Sequence, residues 1–280
     1  MNLSGVIDMH IHTAPDLRPR PLDDHELAKK ATQLGVRAVV IKSHIMPTAG
    51  RALLAEKAGG GAKVFGGIVL NSHVGGINPI AVEAEIAMGG KIVWLPTLFS
   101  RHHRQLAGEK DGVATVVDDR VTPELQPVLD MIAQNNLVLA TGHLNPREIF
   151  IVVNEAQRRG VGKIVITHPE IDLVNLSLSD QKALAESGVY FERCYAKPLG
   201  GGKYQVNLPA NAEAIAKIGC QSTIIATDSG QLENPVWDEA LIESLEFMER
   251  YGFSRTEIDT MSKINPARLL DLPIYEEYDS

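Results

Sequence analysis

The chain of 280 residues is 44% hydrophobic and 22% charged, with a net charge of −8 and a pI near 5.6; such a chain can bury a large core, and with no basic stripe to neutralise phosphates, nucleic acid is excluded as the main partner. No apolar run reaches the length of a membrane span, so no membrane partner is expected. Cys194 and Cys220 stand far apart without C-x-x-C spacing, and Met1-Asn2-Leu3-Ser4-Gly5 lacks the pattern of a secretory leader, so a reducing cytoplasm is the expected location.

Val6-Ile7-Asp8-Met9-His10-Ile11-His12 reads as a buried strand that ends in two histidines. Side chains alternate faces along a strand, so His10 and His12 point the same way, about 6–7 Å apart, and can reach one metal if the strand end twists. Taken alone, two solvated histidines on an edge strand are the plainer account. Pro21 to Leu34 has helical spacing, stopped by Gly35, and Arg37 to Lys42 (RAVVIK) is a second strand. A helix over Ala49 to Ala58 breaks at Gly59-Gly60-Gly61. Lys63 to Leu70 is the third strand, Pro79 to Met88 a helix, and Lys91 to Leu95 (KIVWL) the fourth strand.

Ser100 to Asp119 is an irregular excursion, after which Pro123 to Asn135 resumes the helical pattern. Asn136 to Thr141 is the fifth strand, followed by a helix over Pro146 to Arg159 with Asn145 as its N-cap. Lys163 to Thr167 and Val189 to Glu192 make strands six and seven, around a helix over Ser179 to Ser187. A Gly-rich loop (Gly200 to Gly202), a helix near Asn211 to Ile218, the eighth strand Ser222 to Thr227 and a long helix from Pro235 to Tyr251 follow. Two short helices, around Thr256 to Lys263 and Asn265 to Leu270, finish the chain. Apolar strands each followed by a helix mean a parallel sheet buried on both faces. About eight such units fit an α/β fold of the (β/α)8 TIM-barrel type, one domain over residues 1–280 with its excursion after the fourth strand. No G-x-G-x-x-G fingerprint follows the first strand, which removes the main argument for a dinucleotide binder.

In such a barrel the functional groups sit at the C-terminal strand ends. Those ends carry His10 and His12, Lys42 and His44, Asn71 and His73, Thr97, His143, His168, Glu192 and Arg193, and Asp228; of the nine histidines only His25, His102 and His103 lie elsewhere. One aspartate among several neutral imidazoles suits zinc, or manganese or iron where those are more available. A carboxylate beside a metal-bound water can serve as general base, and Asp228 is the candidate.

This pattern resembles the amidohydrolase superfamily, through His10 and His12 in DMHIH, His143 in TGH, His168 in THP and Asp228 in ATDSG, in order on strands one, five, six and eight. The barrel repeat extends the resemblance over nearly the whole chain. It implies metal-dependent hydrolysis of an amide, cyclic amide or ester in a small molecule. It also implies that His10, His12, His143 and Asp228 bind the metal, and that His168 ligates a second ion or holds the attacking water. Asp228 would then pass a proton from the metal-bound water to the leaving group. Binuclear members of the superfamily supply a carboxylated lysine or a glutamate from the end of strand four, whereas KIVWLPTLF has Lys91 at its start and Thr97 at its end. One ion is therefore expected rather than two. Lys42, on the strand face of His44, is either the carrier of a bridging carbamate or, more plainly, a buried lysine paired with an acid. A decarboxylase or isomerase with the same ligands is an alternative. So is a polymerase-and-histidinol-phosphatase type phosphoesterase, which DMHIHT and KSH resemble but the TDSG ending of strand eight does not.

The expected partner is a small-molecule substrate, and a homo-oligomer is open. Candidate substrate-binding residues are Arg18, Lys42, His44, His73 and Arg193. Arg18 and Arg20, in APDLRPRP, either hold a carboxylate or phosphate bidentately or belong to a solvated, proline-braced loop. Arg193 either faces the site or pairs with Glu192 or another acid. Arg101 to Arg104 reads as a surface or contact cluster before a lid, Cys194 as a packed thiol, and Gly200 to Gly202 as a flap.

Overall fold

The computed structural model describes residues 2–274. In chain order, β1 (Ile7–Ile11), α1 (Asp24–Gln33), β2 (Ala38–Ile41), α2 (Ala49–Gly59), β3 (Lys63–Phe65), β4 (Gly67–Val69), α3 (Pro79–Ala87) and β5 (Ile92–Trp94) come first. The excursion carries α4 (Arg101–Leu106) and a small hairpin, β6 (Val116–Val117) and β7 (Arg120–Val121). Then come α5 (Leu125–Gln134), β8 (Val138–Ala140), α6 (Pro146–Arg158), β9 (Ile164–Thr167), α7 (Leu178–Glu186) and β10 (Tyr190–Arg193). A second hairpin, β11 (Ala196–Gly200) and β12 (Lys203–Val206), precedes α8 (Leu208–Ile218), β13 (Thr223–Ile225) and α9 (Trp237–Tyr251). The described chain ends with α10 (Arg255–Asp259) and α11 (Asn265–Leu269), joined by a π-helical turn over Thr260–Ile264.

The alternation of apolar run and helix gives a parallel α/β architecture in two main sheets, ordered β1-β2-β3 and β13-β10-β9-β8-β5-β4. β3 and β4 are one extended segment interrupted at Gly66, where pairing passes from β2 to β5. Only glycine fits there, because a Cβ would lie 2.4 Å from the main-chain carbon of Thr48, whose hydroxyl accepts from Gly67 N at 2.9 Å. At the other edges, Asp228 N donates to His10 O at 2.9 Å and His12 N to Ser229 O at 2.8 Å. Main-chain bonds therefore run from the end of β1 to the residues just past β13.

Both strand faces are buried, as their near-continuous apolar composition dictates. Ile7, Met9, Val40, Val69, Trp94, Ala140, Val165 and Ile224, drawn from both sheets, meet in one cluster that α11 closes with Ala267, Leu269 and Leu270. The opposite faces pack under the helices, for instance Ile68, Val93 and Ile166 beneath Val128 and Val152. Each such aliphatic side chain contributes roughly 1.5–3 kcal/mol on burial. Helix starts follow the local sequence: Asp23 with Glu26 and Asn145 with Glu148 form capping boxes, the latter where Asn145 was expected. The stretch read as irregular holds a helix and a hairpin, and Gly200 to Gly202 is the turn region of a second hairpin rather than a bare loop. Both are short, and single-sequence periodicity does not resolve elements of this length. No helix among the described residues is long and apolar enough to cross a membrane.

Candidate metal centre

The site is built where β1 ends. Asp8, fully buried, accepts from His10 N (3.1 Å), Thr227 N (3.2 Å), Thr227 Oγ1 (2.7 Å) and Trp237 Nε1 (3.0 Å), tying β1 to the end of β13 and to α9. Burial raises the Asp8 carboxyl to about 6 against the lowering effect of these donors. Two residues on, His10 and His12 share one face as the strand period requires, and their Nε2 atoms lie 3.3 Å apart. Asp228, in the left-handed conformation at φ 51°, brings Oδ1 to 3.0 Å from His10 Nε2 and 3.1 Å from His12 Nε2.

These three ligand atoms form a near-equilateral triangle. Around one cation with bonds of about 2.0–2.1 Å, neighbouring ligand atoms stand roughly 2.9–3.4 Å apart at octahedral to tetrahedral angles, so the triangle fits a single divalent ion. Two imidazoles and a carboxylate are also a donor set suited to zinc, manganese or iron. The electrostatics agree. Burial works to lower His10, yet Asp228 and Glu192 raise it to about 9, so the site holds a proton where a cation would sit. His12, lowered to about 3 by burial, is neutral and available as a ligand.

Glu192 was not among the expected site residues. Its Oε1 stands 2.7 Å from His10 Nδ1, with both side chains buried. It therefore fixes the Nδ1 proton of His10 and turns Nε2 toward His12 and Asp228, an arrangement that would suit a metal ligand. The signal was available, since Glu192 ends the seventh strand. The side chains of Glu192 and Arg193 point to opposite faces of β10. As Glu192 faces His10, Arg193 turns outward, where it pairs with Glu170 and donates to Gln181 Oε1 at 2.8 Å. The expectation that Arg193 binds substrate is corrected accordingly: its partner is the other acid, Glu170.

His143 and His168, expected as ligands, lie beside the triangle and outside it; their ring nitrogens are not part of the His10, His12, Asp228 group. Their rings are 4.9 Å apart, and His143 Nδ1 lies 2.8 Å from His103 Nδ1. Burial holds both neutral, His168 at about 4, and His168 Nδ1 is buried without a protein partner. His103, read from the sequence as part of a surface cluster, thus reaches the site from α4, which no strand-end rule identifies. His44 faces the site too, its Nδ1 2.8 Å from Thr97 Oγ1, itself held by Asn71. Lys42 Nζ stands 3.0 Å from His10 Nε2 and over the Trp94 ring; burial pulls its ammonium down against Asp228 and Glu192. No acid lies within ion-pair distance of Lys42 among the described residues, contrary to the plainer expectation. His73 does not reach the site: it is exposed in the turn after β4, edge-on to Phe99, because Asn71 occupies the strand end.

A cavity opens beside the triangle at Asp228, lined by Arg18, Lys42, His44, His143 and His168 among others. Asp228 is 20% exposed, lines this cavity, and turns Oδ1 to both histidines.

Solved structures of similar fold include amidohydrolases and a dipeptidase. Similar solved structures are a metallopeptidase-type dipeptidase (12% identity, covering 96% of this chain and 98% of that one, TM-score 0.65) and an amidohydrolase from Pseudomonas aeruginosa (14%, 95% and 95%, 0.64). A Burkholderia multivorans amidohydrolase with bound zinc is another (16%, 96% and 99%, 0.61). The chain belongs to a family of unknown function (DUF6282), whose model matches residues 5–192. A search of the curated proteins finds no match.

Proposed function

We propose that this protein is a metal-dependent hydrolase of a small molecule, cleaving an ester, amide or cyclic amide bond. We also propose that its two sheets close as a single (β/α)8 barrel. The observation that carries the activity is the His10–His12–Asp228 triangle, open to a cavity on one side. Similar structures include hydrolases, one with bound zinc, and the main-chain bonds from β1 to the residues past β13 support the closed barrel.

His10, His12 and Asp228 would hold one ion. A divalent cation there supplies Lewis acidity and a water acidic enough to attack at neutral pH. Asp228 has one oxygen in the triangle, so Oδ2 is the atom that accepts the proton and returns it to the leaving group. Glu192 fixes the tautomer of His10. His168 and His143, kept neutral by burial, offer ring N–H groups to a polarised substrate carbonyl. The left-handed backbone at His168 (φ 29°) and Asp228 is strain held in place by the surrounding main-chain bonds, as at other functional sites.

The test is a panel of lactones, cyclic amides, linear amides and phosphate monoesters, run with and without chelator, beside elemental analysis of the purified chain. Hydrolysis of a carboxylic ester or amide, lost with chelator and restored by zinc, is expected. Turnover indifferent to chelator, or confined to phosphate monoesters, contradicts the reading.

A further inference from the structure

The loop between β1 and α1 carries two arginines, and the structure separates their roles. Arg20 is consumed: Nε and Nη2 donate to Asp16 Oδ2 at 2.8 and 2.6 Å, and Nη1 donates to Gly230 O at 3.1 Å. The other oxygen of Asp16 takes the main-chain N–H of Arg18 at 3.4 Å. Asp23 caps α1, and Asp24 binds Arg51 and Thr13. Every acid of this loop is thus committed, and the guanidinium of Arg18 has no ion pair or hydrogen bond among the described residues. Yet the loop is braced at both ends, with Ala14 N donating to Leu22 O at 2.9 Å and Arg20 fastened to the main chain after β13. A charged fork is therefore held at the mouth of the cavity with nothing to bind. Glu233 also lines that mouth, but it is exposed and no ion pair joins it to Arg18.

The same cavity has an apolar wall of Leu98, Ile171, Leu173 and Pro198, with Tyr204 from the β11–β12 hairpin. The cavity volume is about 120 Å3, near the ~150 Å3 cavity that admits one benzene ring. Uncommitted guanidinium, small apolar wall and hydrolytic centre lie on one cavity.

We infer that the substrate of this site is a small carboxylate of about one ring or its open-chain equivalent. Its carboxylate is clamped by Arg18, its apolar body lies against Leu98, Ile171 and Leu173, and its scissile bond is at Asp228. This rests on the hydrolase reading for the identity of the reacting end. A guanidinium fork matches a carboxylate bidentately, and the neutral amide of the same shape forfeits both charge and one acceptor.

The test compares benzoate with benzamide by calorimetric titration of the full-length chain, first stripped of metal and then loaded with zinc. Wild type is expected to prefer benzoate about tenfold or more, in line with one charge-assisted pair. Arg18→Ala should bring the preference close to unity, and Arg18→Lys should keep part of it. Arg18 is exposed, so neither variant should lose the fold. Equal binding of the two probes to wild type, no binding of benzoate, or a preference that persists in Arg18→Ala overturns the proposal. Zinc uptake is measured on the same preparations. Loss of zinc binding with the benzoate preference intact sinks the hydrolase reading alone, and the reverse sinks the carboxylate site alone.

Discussion

Replacing Glu192 by glutamine isolates one charge from one shape. The carboxylate is 2% exposed, its Oε1 is 2.7 Å from His10 Nδ1, and Cys194 Sγ at 3.5 Å is its other neighbour. A glutamine carbonyl still accepts the Nδ1 proton, so packing and tautomer survive while the negative charge that strengthens His10 as a donor is gone. Loss of such a partner weakens metal binding about 10- to 100-fold, or about 1.4–2.7 kcal/mol; the conservative change should fall near the lower bound. Glu192→Ala should reach the upper bound and also leave a buried N–H without an acceptor, costing about 1–3 kcal/mol of stability. Zinc affinity is read by competition with a chromophoric chelator, and stability by thermal melting with and without EDTA. A Glu192→Gln protein that binds zinc within twofold of wild type refutes the coupling, because His10 would then not be using Nε2 for the ion.

Asp228→Asn should lower the turnover number by about 100-fold or more, the scale of a lost proton acceptor, on whichever panel compound wild type hydrolyses; an unchanged rate at matched zinc occupancy contradicts its role. Gly230→Ala should destabilise the fold by roughly 2 kcal/mol or more and weaken zinc binding, because at φ 122° its Cβ would lie 2.0 Å from His12 O; urea unfolding and the competition assay read both. Glu85 accepts from Thr48 N and Ala49 N at the start of α2, and burial raises its carboxyl from 4.5 to about 7. The native state then binds more protons than the unfolded state between these values, so this group's contribution to stability falls as pH rises from about 4.5 to about 7, by on the order of 3 kcal/mol, and is level above. Glu85→Gln should melt higher than wild type at pH 8 and alike near pH 4.5; equal melting at both pH values would show that Glu85 does not carry the dependence.

Which side chains meet across the fold was legible only in part. Period-2 alternation put His10 and His12 on one face, and the strand-end rule brought Lys42, His44, His143, His168 and Asp228 to one cavity. The same rule offered His73 and Arg193, which turn away, and Glu192 beside Arg193 without saying which faces inward; it did not reach His103. Adjacent residues on β10 must face opposite ways, and the sequence does not say which of Glu192 and Arg193 faces inward. That depends on the register between β10 and its neighbours, Phe191 against Ile166 and Thr223, and register is a property of the assembled sheet.

The amino-acid order by itself determined the alternation of strand and helix, the parallel sheet, and the pairing of two imidazoles on β1, because these follow from periodicities of a few residues. Only the tertiary structure decided that the ligand triangle comprises His10, His12 and Asp228, that His143 turns to His103, and that Arg18 rather than Arg20 is left uncommitted. Each of these is a contact or near-contact between residues distant in the chain or a choice between equivalent neighbours, and its energy exists only once strand register and loop bracing have fixed the distances.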